Sequence, residues 1–222
     1  MSKTGGIMGK RESEFIKLLE GADIEREKAF NEFIDGAACA ISCMCDERSD
    51  ISKKRLLRCL EVDKKLGNLS GELLRTTFEA YDDEPMQDFL GGIRRSLKGA
   101  TEKQRIVDLS DMDIGEALAN EPYISVCDPS VGSGSTLINC AGLMRDQGYD
   151  PSVSCLMTGM DEDDISVKIS YIQLSVLGLA ACLYNIKEAT EDVEDDRCWY
   201  TPAMTMEPWT ERIRQIQDEG GL

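Results

Sequence analysis

The chain has 222 residues, of which 41% are hydrophobic and 30% charged. That is long enough to bury a sizeable core without disulfide staples, and the balance is that of a globular protein. Its 42 Asp and Glu outweigh 25 Lys and Arg, giving a net charge of −17, so the chain as a whole repels phosphate and lacks the basic excess of a duplex-DNA binder. Histidine is absent, which excludes a Ser-His-Asp triad, a Cys-His dyad, a histidine zinc site and haem ligation by His; aromatics at 6% argue against a stacking surface for single strands.

Residues 1–12 read as a loose, flexible tail without the apolar stretch of a targeting segment. A helical region follows over 13–105. Ser13 is the expected N-cap of a first helix carrying Phe15, Ile16, Leu18 and Leu19. Phe30, Phe33, Ile34, Ala37, Ala38 and Ile41 recur at helical spacing and predict a buried helix over 25–45. A third helix is expected near 52–66, with Leu56, Leu57 and Leu60 apolar and Lys53, Lys54, Arg55 and Arg58 basic. Further helical segments fall near 70–80 and 85–98, and no alternating strand pattern occurs in this half.

The second half, 106–212, changes character. Tyr123 to Cys127 reads as a short strand ending at Asp128, followed by a glycine-containing loop and a helix over 135–147. Val153 to Met157 predicts a second strand, leading to Gly159 and Asp161; 163–178 is helical, and Ala180 to Tyr184 is a third strand. Strand–helix–strand–helix–strand is the signature of an α/β parallel sheet. The chain then turns acidic at Glu188, Glu191, Asp192, Glu194, Asp195 and Asp196, and ends in a Trp/Pro segment and a polar tail, 213–222. The apolar stretch at 175–184 is too short to span a bilayer, so a cytoplasmic protein with no membrane partner is expected. The nine cysteines form no C-x-x-C pair; they read as free thiols of a reducing compartment, and no metal is expected.

The stretch with most chemical content is Asp128-Pro-Ser-Val-Gly-Ser-Gly134, set between a strand and a helix where parallel sheets form a ligand crevice. It has no lysine and is not a phosphate-binding P-loop, nor does it fit G-x-G-x-x-G. Its plainer reading is an ordinary strand-to-helix turn. Asp161, at the end of the second strand, stands where such folds place a carboxylate for ribose hydroxyls, and together the two positions suit a nucleoside held without its phosphates.

Asp128-Pro-Ser-Val-Gly-Ser-Gly134 resembles the S-adenosylmethionine loop of N6-adenine DNA methyltransferases, in the D-P-x-x-G-S-G form of type I restriction-modification subunits. Gly159-Met-Asp161 with Tyr171 to Gly178, Trp199 to Ala203 with Trp209, and Asp88-Phe-Leu-Gly91 resemble further parts of methylase-like proteins from phages and mobile elements, so the resemblance spans about 25–212. It implies a truncated Rossmann-like class I methyltransferase domain preceded by a helical region. It also implies S-adenosylmethionine as cofactor, bound by the loop residues Asp128, Pro129, Ser130, Gly132 and Gly134. Asp128, Gly132 and Gly134 would line the methionine end, with Asp161 on the ribose and Asn185 near the adenine.

The departures bear on activity. No [N/D/S]-P-P-[Y/F/W] tetrapeptide occurs, and the segment aligned with the family's G-Q-F-F-T-P stretch, 103–108, keeps only Gln104. Methyl transfer to an exocyclic amine needs a pocket that extrudes and stacks the base. Trp199 and Tyr200 are candidates for stacking, with packing on the sheet as the plainer reading. Two basic runs, Lys53–Arg58 and Arg94–Arg105, are candidate phosphate contacts or solvated helix faces. The expected function is therefore a cofactor-binding methyltransferase-fold protein of a phage or mobile element, linked to DNA modification and without stand-alone catalysis, its partner a methyltransferase subunit. The alternative is an acidic, non-catalytic inhibitor of a basic host nucleic-acid-binding defence enzyme, of anti-restriction or anti-CRISPR type.

Overall fold

A computed structural model of the chain describes residues 9–45, 49–99, 113–187 and 197–218. The helical part comprises α1 (Lys10–Glu20), α2 (Arg26–Cys45), α3 (Ser49–Leu66), α4 (Asn68–Asp83), α5 (Phe89–Leu97) and the short α6 (Ile114–Leu118). The Gly9 N–H donates to Glu12 Oε2 at 2.8 Å, so α1 starts at Lys10 and not after a Ser13 cap; residues 1–8 of the expected tail lie outside the described residues. Phe15 of α1 meets the rings of Phe33 and Phe89 edge-on, with centroids 5.5 and 5.8 Å apart. Of the expected stripe of α2, Phe30, Phe33, Ile34, Ala37 and Ala38 are buried as the helical period requires, and Ile41 is half-buried. Gly36 lets α2 and α3 approach closely: a β-carbon there would stand 2.6 Å from Val62 Cγ1.

The sheet follows as β1 (Ile124–Asp128), α7 (Ser135–Asp146), α8 (Pro151–Ser154), β2 (Cys155–Asp161), α9 (Asp164–Val176) and β3 (Ala180–Asn185). β1, β2 and β3 are parallel, in the expected strand–helix alternation. A strand that the sequence did not signal, β4 (Cys198–Tyr200), pairs antiparallel with β3, so the fold is α/β with a four-stranded mixed sheet in the order β1-β2-β3-β4. β2 begins two residues later than expected because Asp150 caps a helical turn that opens with Pro151, accepting from the Ser152 N–H at 3.0 Å. After a 3-10 turn at Pro202–Thr205, α10 (Trp209–Asp218) takes up the first part of the expected polar tail.

The two faces of the sheet differ. One carries Ile124, Val126, Cys155, Met157, Ala181, Leu183 and Trp199 into a continuous core with the helices. The other carries Leu156, Ala180, Cys182 and Tyr200 against a smaller cluster with Tyr123, Met204, Trp209 and Ile213. Near the carboxyl ends of the strands, that second face presents an exposed Cys127 and half-buried Thr158, Met160 and Tyr184. Burial pushes the thiols of Cys39 and Cys182 up to about 12. Among the described residues, no helix is long and apolar enough to cross a membrane, and no group of three or more metal-ligating side chains occurs.

Charged side chains join the layers. Lys168 of α9 reaches Asp35 of α2 at 2.5 Å and Asp164 at 2.6 Å. Arg58 of α3 bonds Asp35 as well, and Glu32 at 3.0 Å. Arg55 is buried: its guanidinium lies 3.7 Å from the centroid of the Trp199 ring and donates to the Cys198 carbonyl at 2.9 Å. In the basic run at 53–58 Arg55 is thus internal and the half-buried Arg58 is held in ion pairs, which removes both as phosphate contacts.

Burial alone would raise the Asp35 carboxyl, but Lys168 and Arg58 outweigh it and hold the group below its ordinary 3.8. A folded-state value below the unfolded one contributes stability that is full above the unfolded value and lost as pH falls through the folded one. Asp35→Asn is expected to destabilise the protein by about 3 kcal/mol at neutral pH, because Lys168 stays buried with one fewer anion. The variant should also lose part of the acid-induced drop in stability that wild type shows below about pH 4. Urea unfolding at a series of pH values checks both.

Candidate functional site

β1 ends at Asp128, whose Oδ1 accepts from the Ser130 N–H at 3.0 Å and closes a turn over Pro129. Val131 is buried, and its N–H donates to the Met160 carbonyl at 2.8 Å, seating the loop on β2. Gly159 makes that seat possible, since a β-carbon there would come within 2.7 Å of both Val131 and Leu183. Gly132 and Gly134 have φ of +53° and +89°, in the left-handed region that favours glycine, and α7 starts directly after them.

The structure brings Asp161 to this loop. Its Oδ2 accepts from the Gly132 N–H and its Oδ1 from the Asp163 N–H, each at 2.9 Å. Ser170 of α9 donates to the Gly132 carbonyl at 2.9 Å. Asp161 lies opposite Asn185 in the register, and Asp128 opposite Gly159, so Asp128, Asp161 and Asn185 stand at the carboxyl ends of three neighbouring parallel strands. Asp161 is thus a staple of the loop first. Each carboxylate oxygen retains a further lone pair, so the group can still accept from hydroxyls. Asn185 Oδ1 accepts from the Lys187 N–H at 2.9 Å. Pro129 and Ser130 are exposed at the loop tip.

The two glycines differ in use. A β-carbon on Gly132 would meet open space, as a position facing a ligand requires. One on Gly134 would stand 3.1 Å from Ser170 Oγ, so Gly134 serves the turn and the close packing on α9.

A second set of residues holds the loop from the other side. Gln173 of α9 is fully buried, and its amide makes four hydrogen bonds. Oε1 accepts from the Tyr81 hydroxyl and, at 2.9 Å, from the Leu90 N–H; Nε2 donates to Asp88 Oδ1 at 2.9 Å and to the Ser133 carbonyl at 2.7 Å. Asp88 Oδ2 accepts from Ser133 Oγ and from Arg95, each at 2.8 Å. Burial, with the Asp88 charge second, pushes the Tyr81 phenol well above its usual range, so it stays protonated as a donor. Gly91 admits this contact, because a β-carbon there would overlap Asp88 and Ser133 Oγ. The segments Asp88–Gly91 and Tyr171–Gly178, noted separately in the sequence, meet here; no spacing rule links residues 85 positions apart.

Other expected groups are otherwise engaged. Trp199 is buried against Tyr171, with ring centroids 5.2 Å apart, and does not stack a base; Tyr200 joins the cluster around Trp209. Arg94 bonds Asp163 and Ser166 Oγ, and Arg95 bonds Asp88, so neither is a spare phosphate contact. Lys103, Gln104, Arg105 and the acidic run at 188–196 lie outside the described residues. A cavity of about 520 Å³, lined by Arg145, Tyr149, Asp150, Leu177 and Leu179 among others, sits at the amino ends of β2 and β3, away from the glycine loop. No protein-family model, no curated protein and no solved structure matches the chain.

Gln173→Leu is expected to destabilise the protein by about 3–5 kcal/mol, since it strands several buried polar groups at once. Gly91→Ala should cost about 1–3 kcal/mol through overpacking. Denaturant unfolding reads both, and a Gln173→Leu variant within 1 kcal/mol of wild type would show that the clamp does not hold the loop.

Proposed function

We propose that the chain binds S-adenosylmethionine in the crevice at the carboxyl ends of β1 and β2. On this reading it is a methyltransferase-fold protein of a phage or mobile element, linked to DNA modification and without stand-alone catalysis. The observation that supports this best is the placement of the Asp128–Gly134 loop beside Asp161, with Asp161 Oδ2 2.9 Å from the Gly132 nitrogen. On this reading Asp128 faces the ammonium of the methionine end. Gly132 admits the chain of the ligand where a side chain would block it. Asp161 accepts from the ribose hydroxyls through its remaining lone pairs, and Asn185 lies toward the adenine. The parallel order of β1, β2 and β3 supports this reading, because open α/β sheets take their ligands at strand carboxyl ends.

Transfer to DNA is a separate matter. The base-holding tetrapeptide is absent from the sequence, and Trp199 is committed to the core. A partner subunit that supplies the base pocket completes the chemistry on this reading. The net charge of −17, with Arg11, Arg58, Arg75, Arg94 and Arg95 drawn into intramolecular ion pairs, favours a second reading, an acidic inhibitor that binds a basic nucleic-acid-binding protein.

Calorimetric titration with S-adenosylmethionine tests the first reading. Saturable binding is expected, weakened about 10- to 100-fold in Asp161→Ala, the loss of hydrogen bonds to a charged group. Asp161→Asn keeps an acceptor for the Gly132 N–H and separates loop support from ligand contact. Absence of heat at millimolar ligand removes the cofactor and leaves the second reading. That reading expects no salt-dependent DNA binding and salt-sensitive capture of a basic protein.

A further inference from the structure

The outward face of α3 is unusual. Its inward face is buried through Ile51, Arg55, Val62 and Leu66. Opposite these, Leu57 is 63% and Leu60 49% exposed, with Leu56 at their flank at 47%. Asp50, Lys53, Lys54, Glu61 and Lys64 surround them, all exposed. At 100° per residue, Leu57 sits at the centre of this face, and Asp50, Lys53, Lys54, Leu60, Glu61 and Lys64 fall within about 60° of it.

We propose that this face is a homotypic interface, in which α3 of one copy packs antiparallel on α3 of a second copy about a two-fold axis near Leu57. The charge order carries the inference. Reversing the helix about Leu57 sets Asp50 opposite Lys64 of the second copy and Lys54 opposite Glu61, on both sides of the axis at once. Leu57 meets its own counterpart, and the stem of Lys53 covers Leu60. An isologous contact of this kind requires a surface complementary to itself. A phosphate backbone would call for one sign of charge, whereas this face alternates acid and base around an apolar centre. The helix segment from Asp50 to Lys64 spans about 21 Å, which gives a small contact at the low end of specific interfaces, so a weak dimer is expected.

Sedimentation equilibrium of the full chain over micromolar to millimolar concentration tests this. Wild type is expected to associate to a dimer and no further. Leu57→Asp, at an exposed position that leaves the fold intact by circular dichroism, is expected to weaken association at least tenfold. Lys54→Glu should weaken it severalfold, since two-fold symmetry counts each repulsion twice. Lys54→Glu combined with Glu61→Lys should restore it. A monomer throughout, a dimer indifferent to Leu57→Asp, or a charge-swapped double variant no tighter than Lys54→Glu overturns the proposal.

Discussion

The amide of Gln173 is the contact on which the arrangement of this protein turns. A primary amide has two acceptor lone pairs and two N–H donors, and here all four are used, inside a site without solvent. Its partners come from α4, from the start of α5, from the Asp88 turn between them and from the glycine loop after β1. A buried polar network is favourable only when it is complete, and this one is. The helical half and the sheet half therefore share the same polar interior, as they share the same apolar core around Phe15, Phe89 and Ile172. The shape of the glycine loop is fixed from two directions, by Asp161 on the sheet side and by Asp88 and Gln173 on the helical side.

Much of this was legible along the chain. Helical periodicity located α2 and α3 within a few residues, and the apolar runs with their following glycines located β1 and β3. These elements are set by local pattern. β4 was not legible, because three residues offer no period and the strand exists only by pairing with β3. The start of α1 turned on Glu12 reaching back to Gly9, a better cap than Ser13 four residues later. The loop at 128–134 stood out by its glycines, but their separate uses did not, since only the third dimension shows Ser170 behind Gly134 and nothing beside Gly132. Asp88 and Gln173 fall in two segments that the sequence marks separately, with nothing in either that ties it to the other. Their pairing depends on α5 crossing α9, which no spacing encodes.

The sheet is built in a lopsided way. Parallel strands are usually covered on both faces, because their crossover helices supply a layer on each side of a full doubly wound sheet. Here both connecting helices and the helical half join one core, while the second face is covered by the short C-terminal segment toward the amino ends of the strands. Among the described residues, the second face therefore has its cover at the amino ends of the strands, from the 3-10 turn and α10, and none from the crossover helices.

The absence of histidine combines with the buried thiols in a way that concerns the molecule's surroundings. A residue that changes charge between pH 5 and 8 is the usual means by which a protein senses acidification, and here the sequence has none of the ordinary kind. Burial lifts the Cys39 and Cys182 thiols to about 12, well clear of that window. No imidazole therefore adds to or subtracts from the large acid excess as pH moves through the physiological range. Whatever the protein attracts or repels through its field is screened by the salt around it, with no histidine to add a proton-driven control.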